Sequence, residues 1–90
     1  MRLTYDPIKN ARNVAERGLP FELVAEIEWE TVALEDDTRR DYRERRVRVL
    51  GMIGERLHAA VITYRDDAVH VISFRKANRK EVRLYGQRSG

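Results

Sequence analysis

"RLHAAVITYRDDAVHVISFR", Arg56–Arg75, places two runs rich in β-branched and aromatic residues on either side of Asp66-Asp67. Such runs around a short turn signal predict two antiparallel strands joined by a tight hairpin. Successive strand residues point to opposite faces, so the hairpin also sorts its side chains. With a loop of Asp66-Asp67-Ala68, Arg65 faces Val69 across the pair. Val61, Thr63, Arg65, Val71, Ser73 and Arg75 then share one face. His58, Ala60, Ile62, Tyr64, His70, Ile72 and Phe74 share the other. A one-residue change in the loop scrambles this assignment.

Downstream, Asn78 and Glu81 stand at the spacing of a reciprocal capping box, Val82 and Tyr85 can pack back, and Gly86 ends a short helix. Upstream, "RVRVLGMI" alternates Val47, Val49 and Gly51 with Arg46, Arg48 and Leu50, and "TVALE" is a shorter strand candidate. Nearer the N-terminus the period changes. Asp6-Pro7 is a helix start, with Ile8, Ala11, Val14 and Ala15 at helical spacing and Gly18 at the C-terminal stop. Pro20 restarts the pattern: Phe21, Val24, Ala25 and Glu28 trace one face, widened by Leu23 and Ile27. Helices are expected at about 7–17 and 20–28, after a short strand in "RLTYD". The expected fold is α+β, with two N-terminal helices and a C-terminal helix packed on a mainly antiparallel sheet of about four strands.

Ninety residues make one core, so the chain is read as a single domain over 1–90. It has no cysteine, which excludes disulfides and thiolate metal sites. No leader-like or long uncharged apolar stretch is present, so a soluble, cytoplasmic protein is expected. The charge is unevenly placed. Residues 1–35 carry four Lys/Arg against seven Asp/Glu, a net −3, and the remainder carries fourteen against eight, a net +6. That polarity suggests an anionic ligand on the C-terminal part, either nucleic acid or an acidic protein segment. "TRRDYRERRVR" is less informative, because Asp41–Arg45, Arg40–Glu44 and Glu44–Arg48 are spaced as pairs in a mixed, solvated segment.

Two ordered motifs resemble those of the BrnT toxins. In that family a W/Y-D-P-x-K segment is followed by an Asn, a K-H-G triplet and a Phe-led second helix. Tyr5, Asp6, Pro7, Lys9, Asn13, Gly18 and Phe21 fill these places. The family's C-terminal I-S-A-R-x-A-x-x-x-E pattern is met by Ile72, Ser73, Arg75, Ala77 and Glu81, with Tyr85 beyond and Arg65 before the turn. The triplet here is Glu16-Arg17-Gly18, Phe74 replaces the usual Ala, and His70 stands where Arg is common. The resemblance covers nearly the whole chain. It implies a RelE-like ribonuclease toxin and a ribbon-helix-helix antitoxin, BrnA, that binds the toxin and represses their shared operon. The missing family histidine implies one of two outcomes: reduced activity, or Arg17 taking over a phosphate-binding part of its job.

RNA supplies its own nucleophile, the 2′-hydroxyl, so no metal or other cofactor is expected. The site must position the strand and stabilise extra charge on the phosphate. Arg75 at a strand end and Arg79 in the first turn of the next helix are the expected clamp, since planar guanidiniums match phosphate oxygens. Arg65 and His58 complete the catalytic candidates, although Arg65 lies at the far end of the hairpin from Arg75. Lys76, Lys80, Arg83, Tyr64 and Tyr85 join Arg17 as RNA-binding candidates. Each has a plainer reading. Arg75 can pair with a carboxylate, the helix cations can be a solvated face, the tyrosines can pack in the core, and Glu81 reads as a cap. Two mid-strand histidines without carboxylate spacing do not make a zinc site. The leading expectation is a metal-independent endoribonuclease toxin in a 2:2 complex with its antitoxin, which takes it to operator DNA. The alternatives are a non-catalytic nucleic-acid-binding module and a pure protein-interaction subunit.

Overall fold

In the computed structural model, which describes residues 1–88, the elements run β1 (Leu3–Tyr5), α1 (Pro7–Arg17), two 3₁₀ segments (Phe21–Glu26 and Trp29–Thr31), β2 (Ala33–Asp36), β3 (Val47–Ile53), β4 (Arg56–Arg65), β5 (Ala68–Lys76) and α2 (Arg79–Gln87). The strands form one sheet in the order β1-β5-β4-β3-β2. β1 lies parallel to β5, and the other three pairings are antiparallel. The expected sheet of about four strands is therefore corrected to five, and it is mixed. The expected pair of N-terminal α-helices is also corrected, because α1 is the one α-helix between β1 and β2.

The second expected helix failed on its period. Phe21, Val24 and Ile27 recur every third residue, which aligns them on one ridge of a 3₁₀ helix but not of an α-helix. All three are buried, together with Leu19, against Val47, Val49, Ala60, Ile62, Val71 and Phe74 of the sheet. The irregular segment, rather than a regular helix, thus supplies the half of the core that faces the sheet.

α1 begins and ends as expected: Asp6 accepts from Ile8 N and Gly18 adopts a left-handed C-terminal conformation, φ 68°. Its buried side is the reverse of the apolar pattern. Ile8 is 72% exposed and Ala11, Val14 and Ala15 face outward, while Asn13 is the buried residue. The reason is hydrogen bonding. Asn13 Nδ2 donates to Leu19 O at 2.8 Å and to Phe74 O at 3.0 Å, and Asn10 Oδ1 accepts from Phe21 N at 2.8 Å. These backbone groups belong to irregular chain or to a strand edge beyond the reach of β1, so they need side-chain partners.

The hairpin forms with a two-residue loop rather than three: Arg65 pairs with Ala68, and Asp66 and Asp67 both have positive φ, 49° and 61°. Asp tolerates that region better than most residues, which suits the primed turn a hairpin needs. A β-bulge then intervenes. Ile62 pairs with Val71 but Val61 pairs with Ser73, leaving Ile72 without a partner on β4. The expected faces hold for β4 and for Ser73, Phe74 and Arg75. They are reversed for Val71, which is in the core, and for His70, which shares the outer face with Thr4 and Thr63. The shorter loop and the extra residue offset one another, so the end of β5 keeps its expected phase.

Candidate functional site

The N-terminal segments cover one face of the sheet. The outer face presents two rows of cross-strand neighbours: Ala33, Leu50, Ala59 and Arg75 in one, and Glu35, Arg48, Val61 and Ser73 in the next. Together with Arg39 from the loop before β3 and Lys80, Glu81 and Leu84 of α2, they line a groove. Its floor is small and aliphatic. Arg48 and Arg75 stand diagonally across Ala59 and Val61, so two long side chains reach over two short ones.

Each guanidinium is held by a carboxylate. Arg48 Nη2 donates to Glu35 Oε1 at 2.6 Å, and its Nε is buried without a partner among the described residues. Arg39 donates to Asp37 through Nε and Nη2, both at 2.8 Å, and Asp37 is almost fully buried. These bonds hold the Asp37 carboxyl well below the usual range. Arg75 Nη1 and Nη2 donate to the two Glu81 oxygens at 2.7 and 2.9 Å. Glu81 Oε1 also accepts from Asn78 N at 2.9 Å, and Asn78 Oδ1 accepts from Glu81 N at 2.8 Å, closing the capping box. The Arg75 pair lowers the Glu81 pKa, and Arg48 adds to the effect, which puts all three groups within one field. Arg75 in turn is raised by Glu81 and lowered by Arg39.

A guanidinium has five N–H donors. On Arg75, Nη1 spends its two on Glu81 and on Lys76 O at 3.3 Å, and Nη2 spends one on Glu81. The Nε–H and the second Nη2–H have no partner among the described residues. Those two lie side by side in one plane, the geometry that meets two oxygens of a phosphate.

The other expected residues are dispersed. Arg79, Arg83 and Tyr85 line a separate depression with Met52, Arg56 and Leu57 on the other side of α2, so Arg79 and Arg75 are not brought together. Tyr85 OH donates to Thr31 O at 2.8 Å, and Arg88 packs over its ring. Lys76 pairs with His58 across the strands, on the face opposite Arg75. His58 is 5% exposed, stacks on Phe74 with ring centroids 5.4 Å apart, and has its pKa lowered by burial. Tyr64 is exposed near the turn. Arg17 Nη1 donates to Asn13 Oδ1 at 2.7 Å, away from the groove. Lys80 alone of the helix cations lines the groove with Arg75.

Arg65 belongs to a second cluster. It donates to both Glu44 oxygens, at 3.2 and 2.9 Å, and through Nη1 to His70 Nε2 at 3.1 Å. Because arginine only donates, Nε2 is the bare nitrogen and Nδ1–H donates to Thr4 Oγ1 at 2.8 Å. Burial and the Arg65 charge lower the His70 pKa and keep it neutral.

Sequence reasoning missed Arg39 and Arg48, which it placed in a solvated segment. The loop is organised instead: Asp37 N donates to Arg46 O at 2.8 Å, Thr63 Oγ1 donates to Arg45 O at 2.6 Å, and Arg46 lies 4.0 Å from the centre of the Tyr42 ring. The signal for Arg48 was its alternation with the buried Val47 and Val49. Arg39 had only the Asp two residues before it.

The groove has an apolar floor and carries Arg39, Arg48, Arg75 and Lys80 against Glu35 and Glu81, a net positive lining whose charge suits an anionic ligand. None of the helices among the described residues is long and apolar enough to cross a membrane. The chain belongs to the family described as "Ribonuclease toxin, BrnT, of type II toxin-antitoxin system", which it matches over residues 5–81. No curated protein matches it. Membership makes the protein a toxin of a ribonuclease family that pairs with an antitoxin. The matched span includes every groove residue except Leu84.

Proposed function

We propose that the outer-face groove binds RNA with one phosphate between Arg75 and Arg48, and that the strand is cut there. The 2′-hydroxyl gives its proton to solvent as its oxygen forms the new bond to phosphorus, and the 5′-oxygen leaves and takes a proton from solvent. The two arginines stabilise the charge that gathers on the phosphate oxygens, and no metal is required for that step. The Nε–Nη2 edge of Arg75, unpaired among the described residues, is the observation that carries this reading. Arg48, held by Glu35 on the facing strand, adds a second positive charge across the groove. Neither histidine lines the groove, so the proposed rate enhancement rests on charge stabilisation and positioning. A small BrnA-like ribbon-helix-helix antitoxin is the proposed partner, covering the groove with acidic side chains and carrying the toxin to operator DNA. Ribbon-helix-helix chains dimerise, which makes a 2:2 assembly in the cytoplasm.

Single-turnover cleavage of RNA in EDTA tests the chemistry. Arg75→Ala should cut about a hundredfold more slowly, as expected when a donor to the transition state is lost. Arg79→Ala should change only salt-dependent binding. Cleavage lost in EDTA and restored by magnesium rejects the metal-free mechanism. RNA that is bound but uncut makes the protein a binding module. Light scattering on the copurified pair tests the assembly, and a single 1:1 species contradicts it.

A further inference from the structure

We infer that Glu81 is a positioning residue, which turns the Arg75 guanidinium so that its Nε–Nη2 edge is the one offered to a phosphate. The inference rests on the proposed role of Arg75. It begins from the double duty of one oxygen: Glu81 Oε1 accepts from Asn78 N at 2.9 Å and from Arg75 Nη1 at 2.7 Å. The capping box therefore does more than close the first turn of α2. It clamps the carboxylate, and the clamped carboxylate clamps the guanidinium through its end-on pair.

An arginine held by one edge has the other edge fixed in plane and direction. Arg75 alone, on a strand above the small Ala59 and beside Ser73, would turn about its last bonds. With Glu81 in place its remaining donors are set before the substrate arrives, which is the condition for stabilising a transition state without reorganisation. The opposite role is that of an internal competitor, with the carboxylate occupying the guanidinium in place of a phosphate. The geometry favours positioning, because Glu81 occupies the Nη1–Nη2 edge and leaves the adjacent Nε–Nη2 edge open to a phosphate. Capping alone does not explain the pair either, since it needs only the bond to Asn78 N.

Glu81→Gln separates these roles. Its carbonyl oxygen can still accept from Asn78 N, but its amide presents N–H groups to Nη2, so the fork is lost and the cap is kept. In single-turnover cleavage this variant should lose about tenfold to a hundredfold in rate at saturating RNA, as expected for a displaced catalytic group. KM should stay within about twofold, and the melting temperature should fall by only a few degrees, because the ion pair is lost while the cap is kept. Because Glu81 acts through Arg75, Arg75→Ala/Glu81→Gln should be no slower than Arg75→Ala. A Glu81→Gln rate equal to wild type, with Arg75→Ala slow, overturns positioning alone. So do rate losses that multiply in the double variant. Faster cleavage and tighter RNA binding by Glu81→Gln identify a competitor instead. An Arg75→Ala rate equal to wild type overturns the role of the groove, and positioning with it.

Discussion

Replacing Asn13 with Ala should be among the most damaging single changes outside the groove. Its amide nitrogen satisfies two carbonyls, of Leu19 and Phe74, and those residues are 7% and 0% exposed. Truncation leaves both acceptors short of a partner in a place that solvent reaches poorly. Each unsatisfied buried group costs about 1–3 kcal/mol, so the pair amounts to roughly 3 kcal/mol with partial relaxation. For a chain of this size that is a large share of a total stability of about 5–13 kcal/mol. It corresponds to a fall of roughly 12–24 °C in melting temperature. Asn13→Asp keeps the bond from Arg17 but turns both donors into acceptors, so it should be at least as destabilising. Thermal melts and urea titrations of the two variants measure this directly. A melting temperature for Asn13→Ala within about 2 °C of wild type would refute the claim that α1 is held by its asparagines.

Gly51 faces the 3₁₀ segments, where an added Cβ would collide with Ile27 Cγ2 and lie 2.9 Å from Val32 Cγ1. Gly51→Ala should therefore cost about 1–3 kcal/mol by overpacking, read as an earlier urea midpoint. Asp67 sits at φ 61° in the hairpin turn, so Asp67→Gly should raise the melting temperature by a few degrees. Acid should weaken the fold in two stages, followed by the urea midpoint against pH. His58 and His70 have pKa values below their ordinary 6.5, so their contribution is complete above that value and is lost as pH falls through the lowered ones. Glu44 and Glu81 lie below their ordinary 4.5, and Asp37 below its ordinary 3.8. Their contribution is complete above those values and is lost at lower pH still. A midpoint that stays flat below pH 6 would contradict both assignments.

Much of the sheet was legible because its signals are local. The alternation of Val47 and Val49 with Arg46 and Arg48, the Asp66-Asp67 turn and the Asn78–Glu81 box each depend on residues close in sequence. What escaped depends on partners far away. The outward Ile8 and inward Asn13 reverse the apolar pattern of α1, and the cause is a carbonyl 61 residues later. The Phe21–Val24–Ile27 spacing was visible, but its period of three was absorbed into a widened helical face. Within the site, Arg75 and Lys80 were anticipated and do line the groove. Arg39 and Arg48 were not, because only the cross-strand register shows which cations of a charged run meet Arg75.

Ile72 gives this protein an uncommon freedom of chain length. Insertions and deletions are normally confined to loops, since a residue added to a paired strand turns every later side chain over. Here the extra residue is already present and unpaired, with Val71 and Ser73 each matched to β4 on either side of it. A relative lacking that one position could keep Phe74 in the core and Arg75 in the groove, with a straighter strand between them. Among kindred chains, a gap of one residue in the middle of this strand is compatible with an unchanged site.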